Sequence, residues 1–284
     1  MTTNLILLYP DIPQNIVSYK TYGTSTSDTS NETDFSPALN TFRGERWQEW
    51  NSVSSKTTHN LVYDLGSSVT KATSFLVVTK MDRLVSALTG ATDFLLQSSS
   101  DDSTYTSRIS LTNIQNYTSS DLLGRFSRDY VTTITATSPF RYWRARINNS
   151  ASNAFTLRCG KIYFGSPFDF GREPEGLPQF NLVDLAGKSF TSSAGMIKKA
   201  RLRVPFYQIK IKWIGLTDAL IQSFYTTIYK RKDTTPVFLY TQSYHQVLNN
   251  FRLMHCKIED AVTSQDGGIA NYNTLEVTFR ELIG

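Results

Sequence analysis

Cysteine, histidine and long apolar runs are what this chain has least of: two cysteines and three histidines in 284 residues. Cysteine this sparse excludes the disulfide framework of a small secreted scaffold. Cys159 continues the alternation Phe155, Leu157, Cys159, and Cys256 lies in an apolar run between Leu253 and Ile258, so both read as small buried hydrophobes. His59, His245 and His255 are too scattered for a metal cluster. His255 and Cys256 are neighbours, but adjacent residues of a strand point to opposite faces and do not share an ion. No Gly-rich phosphate loop, Gly-x-Ser-x-Gly elbow or His-Glu-x-x-His occurs, and Gly187-Lys188-Ser189 lacks the upstream glycine of a P-loop. Glu45, Glu49, Asp64 and Asp82 supply carboxylates, yet nothing pairs them across a cleft as glycoside hydrolysis requires. Asp101-Asp102 reads as a polar turn, with an oxygen-ligated cation as the alternative. The expectation is a protein that is not an enzyme and carries neither cofactor nor metal.

Charge is also thin. The formal net charge is +5, and it is spread: residues 45–170 carry 13 basic and 10 acidic groups, residues 171–284 carry 14 and 10. Neither segment is the polycation that nucleic acid attracts, so nucleic acid is not an expected partner. No run approaches the ~18–20 apolar residues of a membrane span, which argues against membrane insertion. Leu5-Ile6-Leu7-Leu8-Tyr9 is too short for a signal segment and has no basic residue before it, so the expected site of synthesis and assembly is the cytoplasm.

What is present is β-pattern. Hydrophobic residues make up 40% and aromatics 13%, enough for real cores, and the length suggests two domains. Residues 1–44 form a polar arm: Thr24 to Asp34 is all Ser, Thr, Asn, Asp and Glu, which cannot bury enough to offset ordering entropy. Leu5 to Tyr9 is either a strand of its own domain or one that reaches a neighbouring subunit. Residues 45–170 hold short strands broken by Ser, Thr, Asp and Gly turns, as in an antiparallel sandwich. In Arg141 to Ile147, Trp143, Ala145 and Ile147 point one way and Tyr142, Arg144 and Arg146 the other, giving a strand with one wet face.

Residues 171–180, rich in Pro and Gly, are the linker candidate. Residues 171–284 then read as β, α, β. Tyr207, Ile209, Ile211 and Trp213 alternate with Gln208, Lys210 and Lys212. A helix follows, capped by Thr217 or Asp218, with an apolar stripe of Leu220, Ile221, Phe224, Tyr225 and Ile228 and a basic end at Lys230-Arg231-Lys232. The fold class expected is mainly β with a smaller α+β unit.

The order of pieces Leu61-Val62-Tyr63-Asp64-Leu65-Gly66, Phe75-Leu76-Val77-Val78, Phe94 to Ser99, Arg141 to Ile147 and Ile162-Tyr163-Phe164-Gly165 resembles the galactose-binding-like (discoidin-like) jelly roll. The run Tyr207 to Thr217, the helix with Phe224-Tyr225, Thr235-Pro236-Val237-Phe238-Leu239-Tyr240 and the closing Asn271 to Leu282 are similar to the minor tail and distal-tail proteins of long-tailed bacteriophages. That resemblance implies a galactose-binding-like sandwich at 45–170 and an α+β oligomerisation domain of the tail-tube kind at 171–284. It also implies a virion location at the tail tip or baseplate, a homo-oligomeric ring, and tube, hub and fibre proteins as partners, with host-surface carbohydrate as a further ligand. The alternative is a stand-alone carbohydrate-binding module, a lectin without a virion role.

Sugar faces stack on aromatic rings while hydroxyls take planar donors and acceptors. On that basis Trp47, Trp50, Tyr117, Arg125 and Phe126 are the candidate glycan contacts, with packing at the sandwich edge as the competing role of both tryptophans. Lys210, Lys212, Leu5 and Leu7 are the candidate subunit-interface residues.

Overall fold

The alternation in 141–147 becomes the central strand of a sheet in which Trp143, Ala145 and Ile147 are wholly buried and Tyr142, Arg144 and Arg146 are half-buried. The computed structural model describes residues 5–9, 16–24, 50–52, 56–78, 82–83, 92–114, 130–133, 137–149, 154–155, 157–176, 178–183, 189–191, 197–199, 206–233, 237–241, 253–265 and 272–282.

The strands, in chain order, begin with β1 Leu5–Tyr9, β2 Ser18–Thr24, β3 Trp50–Asn51, β4 Thr58–Asp64, β5 Phe75–Val78, β6 Asp82–Arg83 and β7 Thr92–Ser99. They continue with β8 Thr106–Ile114, β9 Tyr130–Thr133, β10 Tyr142–Asn149, β11 Leu157–Cys159, β12 Ile162–Phe168 and β13 Gln179–Val183. The last are β14 Ser189–Thr191, β15 Ile197–Lys199, β16 Phe206–Leu216, β17 Val237–Thr241, β18 Leu253–Gln265 and β19 Asn273–Glu281, with one helix, α1 Asp218–Thr227, between β16 and β17. The protein is mainly β.

The chain divides into two compact units, Pro10–Pro167 and Met1–Tyr9 with Phe168–Ile283. Along the chain the first is an insertion into the second, after its opening strand.

The inserted unit is an antiparallel sandwich. One sheet has the order β2-β4-β10-β7-β8; β12-β5-β9 and β3-β11-β6 supply the opposing strands. Leu61, Tyr63, Phe94, Leu96 and Trp143 from the first sheet meet Leu76, Val78, Ile162, Phe164, Leu157 and Trp50 from the others in one core. The expected sandwich is there, with one difference from the expected boundary of the arm. Ser18–Thr24, placed in a polar arm, pairs with all of β4 as the outer strand of the sheet. Asp64-Leu65-Gly66 is a turn in which the Asp64 carboxylate accepts the Gly66 N–H at 2.8 Å, and Gly66 has φ +89, the left-handed region where glycine is at home.

In the second unit, strands run β13-β16-β19-β18-β17-β1, all antiparallel. Thr217 caps α1, its hydroxyl accepting the Leu220 N–H at 3.4 Å, as the sequence predicts. Ile221, Phe224 and Ile228 pack on Ile209, Ile211 and Trp213 of β16, Val277 and Phe279 of β19 and Cys256 and Ile258 of β18. The α-helix ends earlier than expected, at Thr227, so the basic triplet lies in and beyond a 3-10 turn, Tyr229–Arg231, rather than in the last α-helical turn. At the bulge between Trp213 and Leu216, Gly215 has φ +74, and an added Cβ would come within 2.8 Å of the Arg172 guanidinium. The left-handed φ strains any side chain there, while the guanidinium, the far end of a flexible side chain, would have to shift to make room.

Leu5–Tyr9 pairs with Val237–Thr241 of its own chain, Leu7 opposite Leu239, and Leu7 is buried in its own core. Leu5 and Leu7 are therefore part of a sheet within the chain. The physical reason is simple: a β17 edge is covalently tethered to β1, so its effective concentration exceeds that of any second copy.

Candidate functional site

Alternation in the β2-β4-β10-β7-β8 sheet fixes which side chains share its outer face. Tyr142 lies opposite Asp64 on one side and Ser99 on the other; Arg144 lies opposite Val62 and Gln97; Lys20 lies opposite Val62. The turn after β7 folds a further pair of polar groups over this face. Asp101 organises that turn, accepting the Ser99 hydroxyl at 2.7 Å and the backbone N–H groups of Ser103 and Thr104 at 3.0 Å each. These bonds hold its carboxyl far below the usual carboxylate range, the Thr104 and Ser103 amides being the largest causes. Asp102 follows in the left-handed region at φ 60, which an aspartate tolerates. Its carboxylate takes Lys20 Nζ at 2.5 Å and the Tyr105 hydroxyl.

Two arginines complete the face. Arg141 grips Asp64 with both arms of its guanidinium, Nε to Oδ1 at 2.7 Å and Nη2 to Oδ2 at 2.9 Å, and lies 4.5 Å over the Tyr142 ring. Arg144 donates from Nε to Gln97 Oε1 at 2.8 Å, and its guanidinium carbon stands 3.9 Å over the Tyr105 ring. A groove of about 130 Å³ opens between Ser18, Lys20, Asp64, Asp102 and Tyr142. Pockets that enclose a whole small molecule run to roughly 300–1,000 Å³. This one has room for no more than a single ring, beside a tyrosine ring and two acid–base pairs.

Asp64 is held below the usual carboxylate range, first by the Arg141 hydrogen bonds and further by the Gly66 amide, against a desolvation cost. A folded-state pKa below the unfolded one means stabilisation present above the unfolded value of about 3.9 and lost as pH falls through the folded value. Asp64→Asn keeps the acceptor for Gly66 and removes the charge. With side chains 22% and 32% exposed, the pair is partly screened, and the variant is expected to lose about 1–2 kcal/mol near neutrality. Urea midpoints should show that difference closing as the pH falls below the unfolded value of about 3.9 and on through the folded one; a difference constant with pH would mean that the charge pair contributes nothing.

The sequence candidates fare unevenly. Trp50 is 0% exposed, a core residue pairing through β3 with Cys159, so it stacks on no ligand. Its apolar bulk fills the sandwich core, the competing role for that tryptophan. Trp47, Tyr117, Arg125 and Phe126 lie outside the described residues. Lys210 and Lys212 have carboxylates of their own chain, Glu276 at 3.6 Å and Glu175 at 2.6 Å, beside a second groove of about 250 Å³. Lys212 stands directly opposite Glu276 in the β16–β19 register, and the preceding loop brings Glu175 to it. Among the described residues no three His, Cys, Asp or Glu side chains stand together as metal ligands.

Sequence reasoning identifies the wet face of β10 and the Asp64 turn but does not join them. Arg141 and Asp64 are 77 positions apart, Lys20 and Asp102 82 apart, and no local pattern signals such pairs.

No protein-family profile and no curated protein sequence matches the chain. Among solved structures, similarity is found to chitosan-binding module 1 of a Paenibacillus chitosanase/glucanase, 14% identical, covering 55% of this chain and 99% of that one, TM-score 0.36. A family-32 carbohydrate-binding module from a Clostridium perfringens family-31 glycoside hydrolase is 16% identical, covering 55% and 100%, TM-score 0.34. A Ruminococcus gnavus family-29 fucosidase in complex with fucose is 10% identical over 52% of this chain, TM-score 0.35, and the chain spans only 25% of that enzyme.

Proposed function

We propose that the chain is a non-catalytic recognition protein that holds a carbohydrate in the groove between Lys20, Asp64, Asp102 and Tyr142. The observation that carries this is the make-up of that groove: a tyrosine ring framed by two ion pairs, on the outer face of an antiparallel sandwich. Apolar sugar faces suit the ring, and hydroxyls suit carboxylates and cations held rigidly in place. The same electrostatics disfavour hydrolysis. A general acid needs a raised pKa, and Arg141 drives Asp64 the other way.

The wider reading is a structural subunit of a tailed-phage tail tip or baseplate. In it the sandwich, galactose-binding-like in type, faces host-surface glycans and the discontinuous unit associates with copies of itself and with tube, hub or fibre proteins. It rests on the insertion of the sandwich, along the chain, into the other unit. The stand-alone lectin is the competing reading.

A glycan array probed with the whole chain, followed by calorimetry on any glycan bound, tests the first claim. Tyr142→Ala is expected to weaken binding about tenfold or more, the loss of one stacked ring and its cation, with the thermal midpoint little changed. A blank array, or equal affinity in the variant, ends the glycan reading. Light scattering and pull-down with tail-tube and hub proteins test the second: a monomer that binds neither leaves only the lectin.

A further inference from the structure

We propose that β13 joins two copies of this chain, edge to edge about a two-fold axis at Asn181. Gln179–Val183 is paired with Phe206–Lys210 of β16 on one side, and no described strand pairs with its other side. Gln179, Asn181 and Leu182 are exposed, Leu182 at 56%. Open edges of this sort are normally blunted by lysine, proline or a bulge. β13 has none of these; the bulges of its sheet fall in β16 at 213–216 and in β18 at 258–260.

The composition of the strand selects its partner. Gln179-Phe180-Asn181-Leu182-Val183 carries no charge, so it meets a second copy of itself without like-charge cost. Antiparallel pairing centred on Asn181 sets Phe180 opposite the partner's Leu182, and Leu182 opposite the partner's Phe180. Both lie on the face that carries Tyr207 and Ile209, where Phe180 already meets Tyr207 edge to face at 6.2 Å. Each copy therefore covers the exposed Leu182 of the other, and the contact is self-complementary, as a two-fold interface requires. It is also closed, joining two chains and no more; a ring would need a second contact. One five-residue strand buries less than the roughly 1,200–2,000 Å² of a stable interface, so the dimer is a micromolar one. This contact is independent of the glycan groove, and it takes the role expected of Leu5, Leu7, Lys210 and Lys212.

Cysteine cross-linking of the full chain tests the register. Directly opposed residues of antiparallel strands have Cα atoms about 4.5–5.5 Å apart, inside the ~4.4–6.8 Å that a disulfide spans. Asn181→Cys, on the axis, should oxidise to a covalent dimer. Gln179→Cys should stay monomeric, because two-fold mates at that position are separated by four strand steps, roughly 13 Å. The native Cys159 and Cys256 are 0% exposed and stay silent. In sedimentation velocity the unmodified chain should dimerise in the micromolar range, and Asn181→Lys, which opposes two ammonium groups at the axis, should raise the dissociation constant at least tenfold. No cross-link in the Asn181→Cys variant, equal cross-linking of both cysteine variants, a strictly monomeric parent chain, or a dimer indifferent to Asn181→Lys would each overturn the proposal.

Discussion

Trp143→Ala is expected to remove about 3–5 kcal/mol from the stability of the sandwich unit. Trp143 is 0% exposed at the middle of β10, with its ring tilted against Phe164 at 5.6 Å and edge-on to Phe140 at 6.1 Å. Its Nε1–H donates to the Phe140 carbonyl at 3.3 Å, an oxygen that also accepts the Lys71 N–H at 3.0 Å, so truncation removes a hydrogen bond without leaving that carbonyl unpaired. The neighbours cannot collapse into the space easily, because β10 is hydrogen-bonded to β4 and β7 along nearly its whole length. Total stabilities of domains lie near 5–15 kcal/mol, so the loss takes a large share of whatever the unit has. Urea unfolding followed by far-UV circular dichroism measures it, and Trp143→Phe should cost clearly less by keeping most of the volume. A Trp143→Ala loss under about 1 kcal/mol, the scale of an ordinary surface change, would mean that this residue is not the centre of the core.

Trp143 is legible in the sequence, because period-2 alternation over 141–147 places it with Ala145 and Ile147 and a one-residue slip would reverse all three. The helix is legible for the same kind of reason: Thr217 caps it and Ile221, Phe224 and Ile228 share a stripe. Both signals lie within a few residues. What is not legible depends on distance along the chain. The pairing of Leu5–Tyr9 with Val237–Thr241 leaves no local mark, since a short apolar run reads alike whether its partner is in the same chain or another. Polar composition hides β2 in the same way, since Ser18-Tyr19-Lys20-Thr21 has no apolar alternation to announce a strand. The groove is the extreme case. Its ion pairs join the first strand of the sandwich to the turn after β7, and the turn after β4 to the start of β10. The aromatic glycan candidates follow from residue type alone, and Trp50 shows the weakness of that: a large ring beside a first strand is more often core than contact.

Residues 168–170 carry the other lesson of the boundary. The sequence groups them with the sandwich, yet Phe168 and Phe170 lie in the core of the second unit. Phe170 stacks on Trp213 with ring centres 4.2 Å apart, and both phenylalanines face Phe224, at 6.0 and 5.7 Å. Phe224 is thus the residue through which the helix, the strand β16 and the return of the chain from the sandwich all meet.

Phe224→Ala is accordingly expected to cost the second unit about 3–5 kcal/mol. The side chain is 0% exposed and its ring also borders Tyr225 at 5.6 Å and Tyr229 at 6.4 Å, so a single truncation removes contacts from four aromatic rings counting Phe168 and Phe170, and Phe170 in turn stacks on Trp213. The helix has only ten residues, too short to persist in water by propensity, so it depends on the packing that Phe224 anchors. Alanine has the higher intrinsic helix propensity, which offsets well under 1 kcal/mol of the loss. Two readouts separate this from a general loosening. Near-UV circular dichroism should lose intensity as the Phe170–Trp213 stack relaxes, and the helical signal should melt ahead of the strand signal. Phe224→Leu, which keeps the apolar stripe but not the ring, should fall between the parent and the alanine variant. If leucine proved as costly as alanine, the aromatic contacts rather than filled volume would carry the stability; if alanine were tolerated with the helix intact, α1 would be held by its cap and its neighbours alone.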